Sequence, residues 1–198
     1  QGVDFVVPVT FDRGLSRLRA DQFVSLLYEQ LNMRGLIMGP DFTMGHQREG
    51  DAKRLTALGS EMGFTVTVVE PLVDEDGSPI RSTTIRQAIG QGDVTRVAAL
   101  MGRNLSLAGK VVRGAGRGGP LGFPTANLSV SRDMAVPGDG VYATWAHIGS
   151  RRLMAATSVG VRPTFNESQR TIEAFIMDFD EDVYDLDFRL EFVTRLRD

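Results

Sequence analysis

Apolar and polar positions in the first hundred residues follow helical and strand periods in turn. Between Ala20 and Met33, Phe23, Leu26, Leu27 and Leu31 recur at helical spacing behind Asp21, which predicts a helix closed by Gly35. Leu36-Ile37-Met38 is a short apolar run of the kind that forms a buried strand. The stretch Gln47 to Met62 places Leu55 and Leu58 inward and ends at Gly63, so a second helix is expected there. Phe64 to Val69 alternates and is rich in β-branched residues, which predicts a strand. Ser82 is the expected N-cap of a helix through Ile89, and Asp93 of another through Met101. Gln1 to Val9 also reads as a strand, already inside a domain. This alternation of helix and strand predicts an α/β unit with a parallel sheet.

The pattern changes near Gly102 to Leu107. From there on, short strand-like runs are split by Gly, Pro, Asn and Asp turns. The clearest strands are Val141 to Ile148, Leu153 to Val159, Thr171 to Phe179 and Phe188 to Val193. Short strands at regular spacing predict an antiparallel barrel. Two domains are therefore expected, 1–104 and 105–198.

Composition narrows the function classes. The chain has 198 residues and a formal charge of −3, which argues against a nucleic-acid partner that needs a basic face. There is no cysteine, so neither a disulfide framework nor a thiolate metal site is available. His46 and His147 are the only histidines, which leaves no multi-histidine site. No apolar run reaches membrane-spanning length and no signal peptide is visible, so no membrane partner is expected and a cytoplasmic setting is the default.

The richest candidate chemistry lies between Gly109 and Leu128. Gly114, Gly116, Gly118 and Gly119 let backbone N–H groups approach an anion without a Cβ in the way. Pro124 then fixes a backbone angle before Thr125, whose hydroxyl suits Mg²⁺ or phosphate, and Asn127 adds an amide. The spacing does not match the P-loop pattern, since no Gly-Lys-Ser/Thr follows the glycines. On these residues alone the segment is a loop, with or without a bound anion. Glu173 sits in an otherwise apolar strand, between Ile172 and Ala174, where it lies either on a solvated face or at a working site. The Asp180-Glu181-Asp182 cluster fits no EF-hand spacing and reads as a solvated turn.

The ordered motifs give a resemblance. Leu121-Gly122-Phe123-Pro124-Thr125-Ala126-Asn127 behind the glycine-rich loop resembles the signature of riboflavin kinases. Pro137-Gly138-Asp139-Gly140-Val141-Tyr142-Ala143, Ser158-Val159-Gly160-Val161-Arg162-Pro163-Thr164-Phe165, the Glu173 strand and Asp182-Val183-Tyr184 follow in that family's order. Upstream, Gly39-Pro40-Asp41-Phe42-Thr43-Met44-Gly45 and Arg81-Ser82-Thr83-Thr84-Ile85-Arg86 resemble the adenylyltransferase module fused to these kinases in bacteria. Arg81 stands where that module usually has serine, and Thr84 where it often has arginine. The whole chain thus resembles the bifunctional riboflavin kinase/FMN adenylyltransferases, also called FAD synthetases.

The resemblance implies an incomplete Rossmann-like nucleotidyltransferase domain followed by a six-stranded antiparallel Greek-key barrel. It implies ATP-dependent phosphorylation of riboflavin to FMN and, in the full-length protein, adenylylation of FMN to FAD. By the same resemblance, Glu173 is the catalytic base. Gly114, Gly116, Gly118, Gly119, Thr125 and Asn127 bind ATP phosphates, with Mg²⁺ on Thr125. Asp41, Phe42, Ser82, Thr83 and Arg86 bind nucleotide in the adenylyltransferase half. Compared with the family, the chain reads as shortened at both ends, so little adenylylation is expected of it alone. The competing expectations are a protein whose main task is FAD synthesis and a regulatory module that binds flavin or nucleotide without turnover.

Overall fold

The computed structural model describes residues 2–112, 125–163, 168–184 and 186–198. The chain divides into two compact units, 1–73 and 74–198.

In the first unit, helices α1 (Ala20–Leu31) and α2 (Ala52–Met62) accompany strands β1 (Gly35–Met38) and β2 (Thr65–Val68). The strands pair in parallel, with Gly35 opposite Thr65 and Met38 opposite Val68, as the helix–strand alternation predicts. Val24, Met38, Leu55, Leu58 and Phe64 form the buried cluster. Asp51 caps α2 by accepting a 2.8 Å hydrogen bond from the Arg54 N–H, and Gly63 closes it in the left-handed conformation. Glu49 reaches back to accept from the Ala20 N–H at 2.9 Å, which satisfies an orphan donor of α1.

Three expectations are corrected here. Helix α1 buries Ala20 and Val24, whereas Leu26 and Leu31 are exposed; the buried stripe is rotated from the one that large apolar residues suggest. Helix α2 starts at Ala52, not Gln47, because Gln47 and Arg48 carry positive φ angles of 55° and 62° in a separate short turn. Residues 2–9 form no strand, and Val3, Phe5, Val6, Val7 and Val9 are exposed. An apolar run needs a ladder partner to become a strand, and this run has none among the described residues.

The second unit opens with α3 (Ser82–Gln91) and α4 (Val94–Met101). Asp93 caps α4 through the Arg96 N–H at 2.9 Å, as expected. Ser82 is not a cap: Arg81 occupies the N-cap position and Ser82 is the first helical residue. Strands β3 (Leu105–Val112), β4 (Thr125–Ser129), β5 (Gly140–Ile148), β6 (Arg151–Pro163), β7 (Ser168–Ile176) and β8 (Asp187–Arg197) close into a barrel in the order β3-β4-β7-β6-β5-β8. The return of β8 to lie beside β5, after the β5-β6-β7 meander, is a Greek key. All pairings in this barrel are antiparallel.

The barrel interior follows from the pleat. Every second residue of β5 is buried, from Gly140 to Ile148. Leu107, Val111, Tyr142, Phe188, Leu190 and Phe192 fill the centre, and Ala88, Ile89, Val94 and Val97 of the two helices join the same cluster. The buried Thr144 and Thr157 hydroxyls satisfy one another at 2.7 Å. Tyr142 is wholly buried, packs edge-on to Phe192, and donates its hydroxyl to the Gly138 carbonyl at 2.5 Å. Gly138 in turn donates its N–H to Ile89, so this corner ties α3 to the barrel.

Gly109 permits the tightest approach in the barrel. A Cβ there would sit 1.9 Å from the Ser129 carbonyl oxygen, a backbone atom that cannot swing aside. Gly109→Ala is therefore expected to destabilise the protein by about 3 kcal/mol, read as a lower urea midpoint at unchanged slope. A midpoint equal to the parent's would contradict the close β3–β4 crossing.

Glu191 on β8 clamps three elements. Its carboxylate accepts from Asn104 Nδ2 at 2.8 Å and from His147 Nε2 at 2.8 Å, while Arg189 lies 3.0 Å from His147 Nδ1. The Asn104 hydrogen bond, aided by His147 and Arg152 against the cost of desolvation, holds the Glu191 carboxyl below its ordinary value of 4.5. A lowered folded value means that the stabilisation is present above the ordinary carboxylate range and disappears as pH falls through the folded value. The stability gap between parent and Glu191→Gln should thus be largest near pH 7 and shrink as pH falls below the ordinary carboxylate range. A gap that widens on acidification would contradict the clamp.

Candidate active site

The motif residues of the barrel meet on one outer face. In β7, Ile172, Ala174 and Ile176 are buried, while Glu173 and Phe175 are half-buried on the opposite side. In β4, Ala126 and Leu128 are buried, and Thr125 and Asn127 lie on the outer side. The register pairs Asn127 with Glu173 and Thr125 with Phe175. Directly opposed Cβ atoms on neighbouring strands are about 5 Å apart, so the Asn127 and Glu173 side chains are within mutual reach. Glu173 lies on neither an inward apolar face nor a fully solvated one, and in this half-buried setting its carboxylate can meet a ligand.

On its other flank Glu173 pairs with Ser158 of β6. Three polar residues, Asn127, Glu173 and Ser158, therefore stand abreast on adjacent strands. The motif that opens at Ser158 gave it no role, because its place beside Glu173 depends on the β6–β7 register, which no local signal reports.

Gly114, Gly116, Gly118 and Gly119 lie outside the described residues. Thr125 begins β4 directly after that segment. It also lines a cavity of about 250 Å³ at one end of the barrel, with Val111, Ala126, Ala174 and Ile176 as its apolar floor and residues 179–184 as a wall. The Asp180-Glu181-Asp182 turn is exposed, as expected, yet it is not only a solvated turn: Glu181 pairs with Arg151 at 2.7 Å. Among the described residues no group of three or more acidic or histidine side chains forms a metal cage. An oxygen-preferring cation would depend here on few protein ligands.

The upstream candidates fall in different units. Asp41 and Phe42 occupy the turn after β1, at the carboxyl end of a parallel strand, where ligands of α/β sheets bind. Ser82 and Thr83 open α3, and Arg86 reaches back to the Ser82 hydroxyl at 3.3 Å, one turn away. All three are exposed, and no acidic residue lies in the first turn to oppose an anion.

Comparison with known proteins gives the family. Residues 101–198 match the riboflavin kinase family, and residues 1–84 match the FAD synthetase family. The bifunctional riboflavin kinase/FMN adenylyltransferase of Escherichia coli K12 is 36% identical over 185 residues, covering 92% of this chain and 58% of that protein. The protein of the same description from Pseudomonas fluorescens is 34% identical over 100% of this chain and 64% of its own length, and that of Bacillus subtilis is 32% identical over 99% and 62%. This chain belongs to the bifunctional riboflavin kinase/FAD synthetase family. It spans about 58–64% of the length of these relatives.

A solved structure from Streptococcus pneumoniae, described as a macrolide-efflux protein, superposes with a TM-score of 0.84 at 34% identity, covering 95% of this chain and 60% of that one. Among the described residues of this family member no helix is long and apolar enough to cross a membrane. The kinase-family match contains β4 and β7 whole, and the FAD synthetase match ends at Thr84, inside the first turn of α3.

Proposed function

We propose that this protein transfers the terminal phosphoryl group of ATP to the primary ribityl hydroxyl of riboflavin, giving FMN and ADP, on the outer face of β4 and β7. The single observation that carries this reading is the cross-strand pairing of Asn127 with Glu173, with Thr125 two residues away on the same face. Phosphoryl transfer asks little covalent chemistry of a protein; it needs positioned reactants, charge neutralisation and a proton acceptor.

Glu173 accepts the hydroxyl proton as the oxygen attacks the γ-phosphorus and the bond to the ADP oxygen breaks. Gly114, Gly116, Gly118 and Gly119 supply backbone N–H donors to the phosphates. Thr125 and Asn127 are neutral oxygen donors on one face, which fits Mg²⁺, a cation usually held by few protein oxygens together with substrate phosphates. When bound, Mg²⁺ neutralises charge on the transferring group. Asn127, beside Glu173, orients the phosphate toward the hydroxyl.

In the full-length protein, a second reaction joins FMN to the AMP part of ATP and releases pyrophosphate. Ser82, Thr83 and Arg86 bind the triphosphate at the start of α3, where N–H groups and the helix dipole favour anions. Asp41 and Phe42 contact nucleotide or flavin in the other unit. The functional boundary between the two modules lies near 104/105, and both reactions take place in the cytoplasm.

Incubation with riboflavin, ATP and Mg²⁺, followed by chromatography of the flavins, tests the kinase. FMN is expected from the parent, with a rate loss of about 10²–10⁴-fold in Glu173→Gln; undiminished FMN formation by that variant would remove Glu173 from the reaction. In the full-length protein, Arg86→Ala should lower FAD formation from added FMN about tenfold or more while FMN formation stays within about twofold. Equal loss of both activities would contradict two separate sites.

A further inference from the structure

The β7–β8 connection folds over one end of the barrel and is tied down in two ways. From inside, Phe179 and Val183 pack against the barrel core. From outside, Arg151 at the start of β6 holds Glu181 with two parallel hydrogen bonds, Nη1 to Oε1 at 2.7 Å and Nη2 to Oε2 at 2.9 Å. The same guanidinium lies over the Phe179 ring, 5.2 Å from its centre. This fork-on-carboxylate geometry fixes direction as well as distance, unlike an ordinary surface ion pair.

What the tie holds is a wall of a cavity. Residues 179–184 face Val111, Ala126, Ala174 and Ile176 across about 250 Å³, and Thr125 lines the same space. The connection leaves β7 through Asp178 in a left-handed backbone conformation, φ 52°, so its path is not a continuation of the strand. It carries three adjacent carboxylates, Asp180, Glu181 and Asp182. Unpaired, these would repel one another; Arg151 neutralises one of them and orients the turn.

We infer that Arg151 and Glu181 are a positioning pair, whose two-pronged contact shapes the 179–184 wall for the phosphate donor and so sets its affinity without touching the reacting atoms. This rests on reading the Thr125 face as the ATP-using site. The pair is exposed, with side chains 47% and 58% accessible, so its loss acts on the wall rather than on global folding.

The test is isothermal titration of the intact protein with Mg-ATP, alongside steady-state FMN formation and thermal melts. Arg151→Glu and Glu181→Arg are each expected to weaken ATP binding and raise its KM about three- to tenfold. The kcat and the KM for riboflavin should stay within about twofold, as should ATP affinity in the doubly swapped protein relative to the parent. Single variants that bind ATP as the parent does, a swapped protein no better than the singles, or a fall in kcat at unchanged ATP affinity would overturn the inference. Where a reversal fails to fold, Arg151→Lys replaces it: charge is kept and the fork is lost, so a smaller loss of ATP affinity is expected, and none would count against the pair. A parent that binds ATP in this pair-dependent way but makes no FMN would leave the inference standing and remove the kinase reading. A parent that binds no ATP would remove both.

Discussion

The register between β4 and β7 is the constraint on which the candidate kinase site depends. Side chains alternate across a strand, so a slip of one residue would turn Glu173 into the barrel and Ala174 out of it. The interior resists that slip. Ala126 pairs with Ala174 inside, flanked by Ile172, Ile176 and Leu128, all buried. A carboxylate in place of those side chains would be desolvated without compensation. On the far side, β6 pairs with β7 from Ala155–Ile176 through to Pro163–Ser168, which holds the strand along its length. The apolar core thus sets the positions of polar groups that never enter it.

The second unit is also more than a barrel. Helix α3, which opens with Ser82 and Thr83, is bound to it by a polar corner: Tyr142 to Gly138, Gly138 to Ile89, and Arg195 to the Gln91 carbonyl at 3.4 Å. Burial raises the Tyr142 hydroxyl's pKa, which keeps it a neutral donor in that corner. The residues proposed for adenylylation therefore stand partly on the framework that carries the proposed kinase face, and partly, through Asp41 and Phe42, on the first unit. Two reactions that use the same nucleotide need no shared catalytic residue in this arrangement.

Much of this was legible in the sequence where the deciding interaction is local. Asp93 caps α4 because its carboxylate reaches an N–H three residues on, a contact written within one turn of chain. Four of the six barrel strands, β5 to β8, were placed to within a few residues by their alternation and turn residues. Glu173, Thr125 and Asn127 were named from motifs, yet their shared face follows from a pairing between segments 46 residues apart. The place of Ser158 beside Glu173 and the Arg151–Glu181 contact were missed for the same reason: each depends on strands meeting in one register. The displaced start of α2 has a different cause. Gly50 fits against Ala20 so closely that a Cβ would lie 2.7 Å away, and the chain turns there through positive φ angles before the helix begins.

The most direct measurement is a crystal structure of the protein with Mg-ADP and riboflavin. The expected result is the terminal ribityl hydroxyl within hydrogen-bonding distance of the Glu173 carboxylate, with the diphosphate on the Thr125 and Asn127 side of it. Flavin and nucleotide bound on another face of the barrel, with Glu173 touching neither, would contradict it.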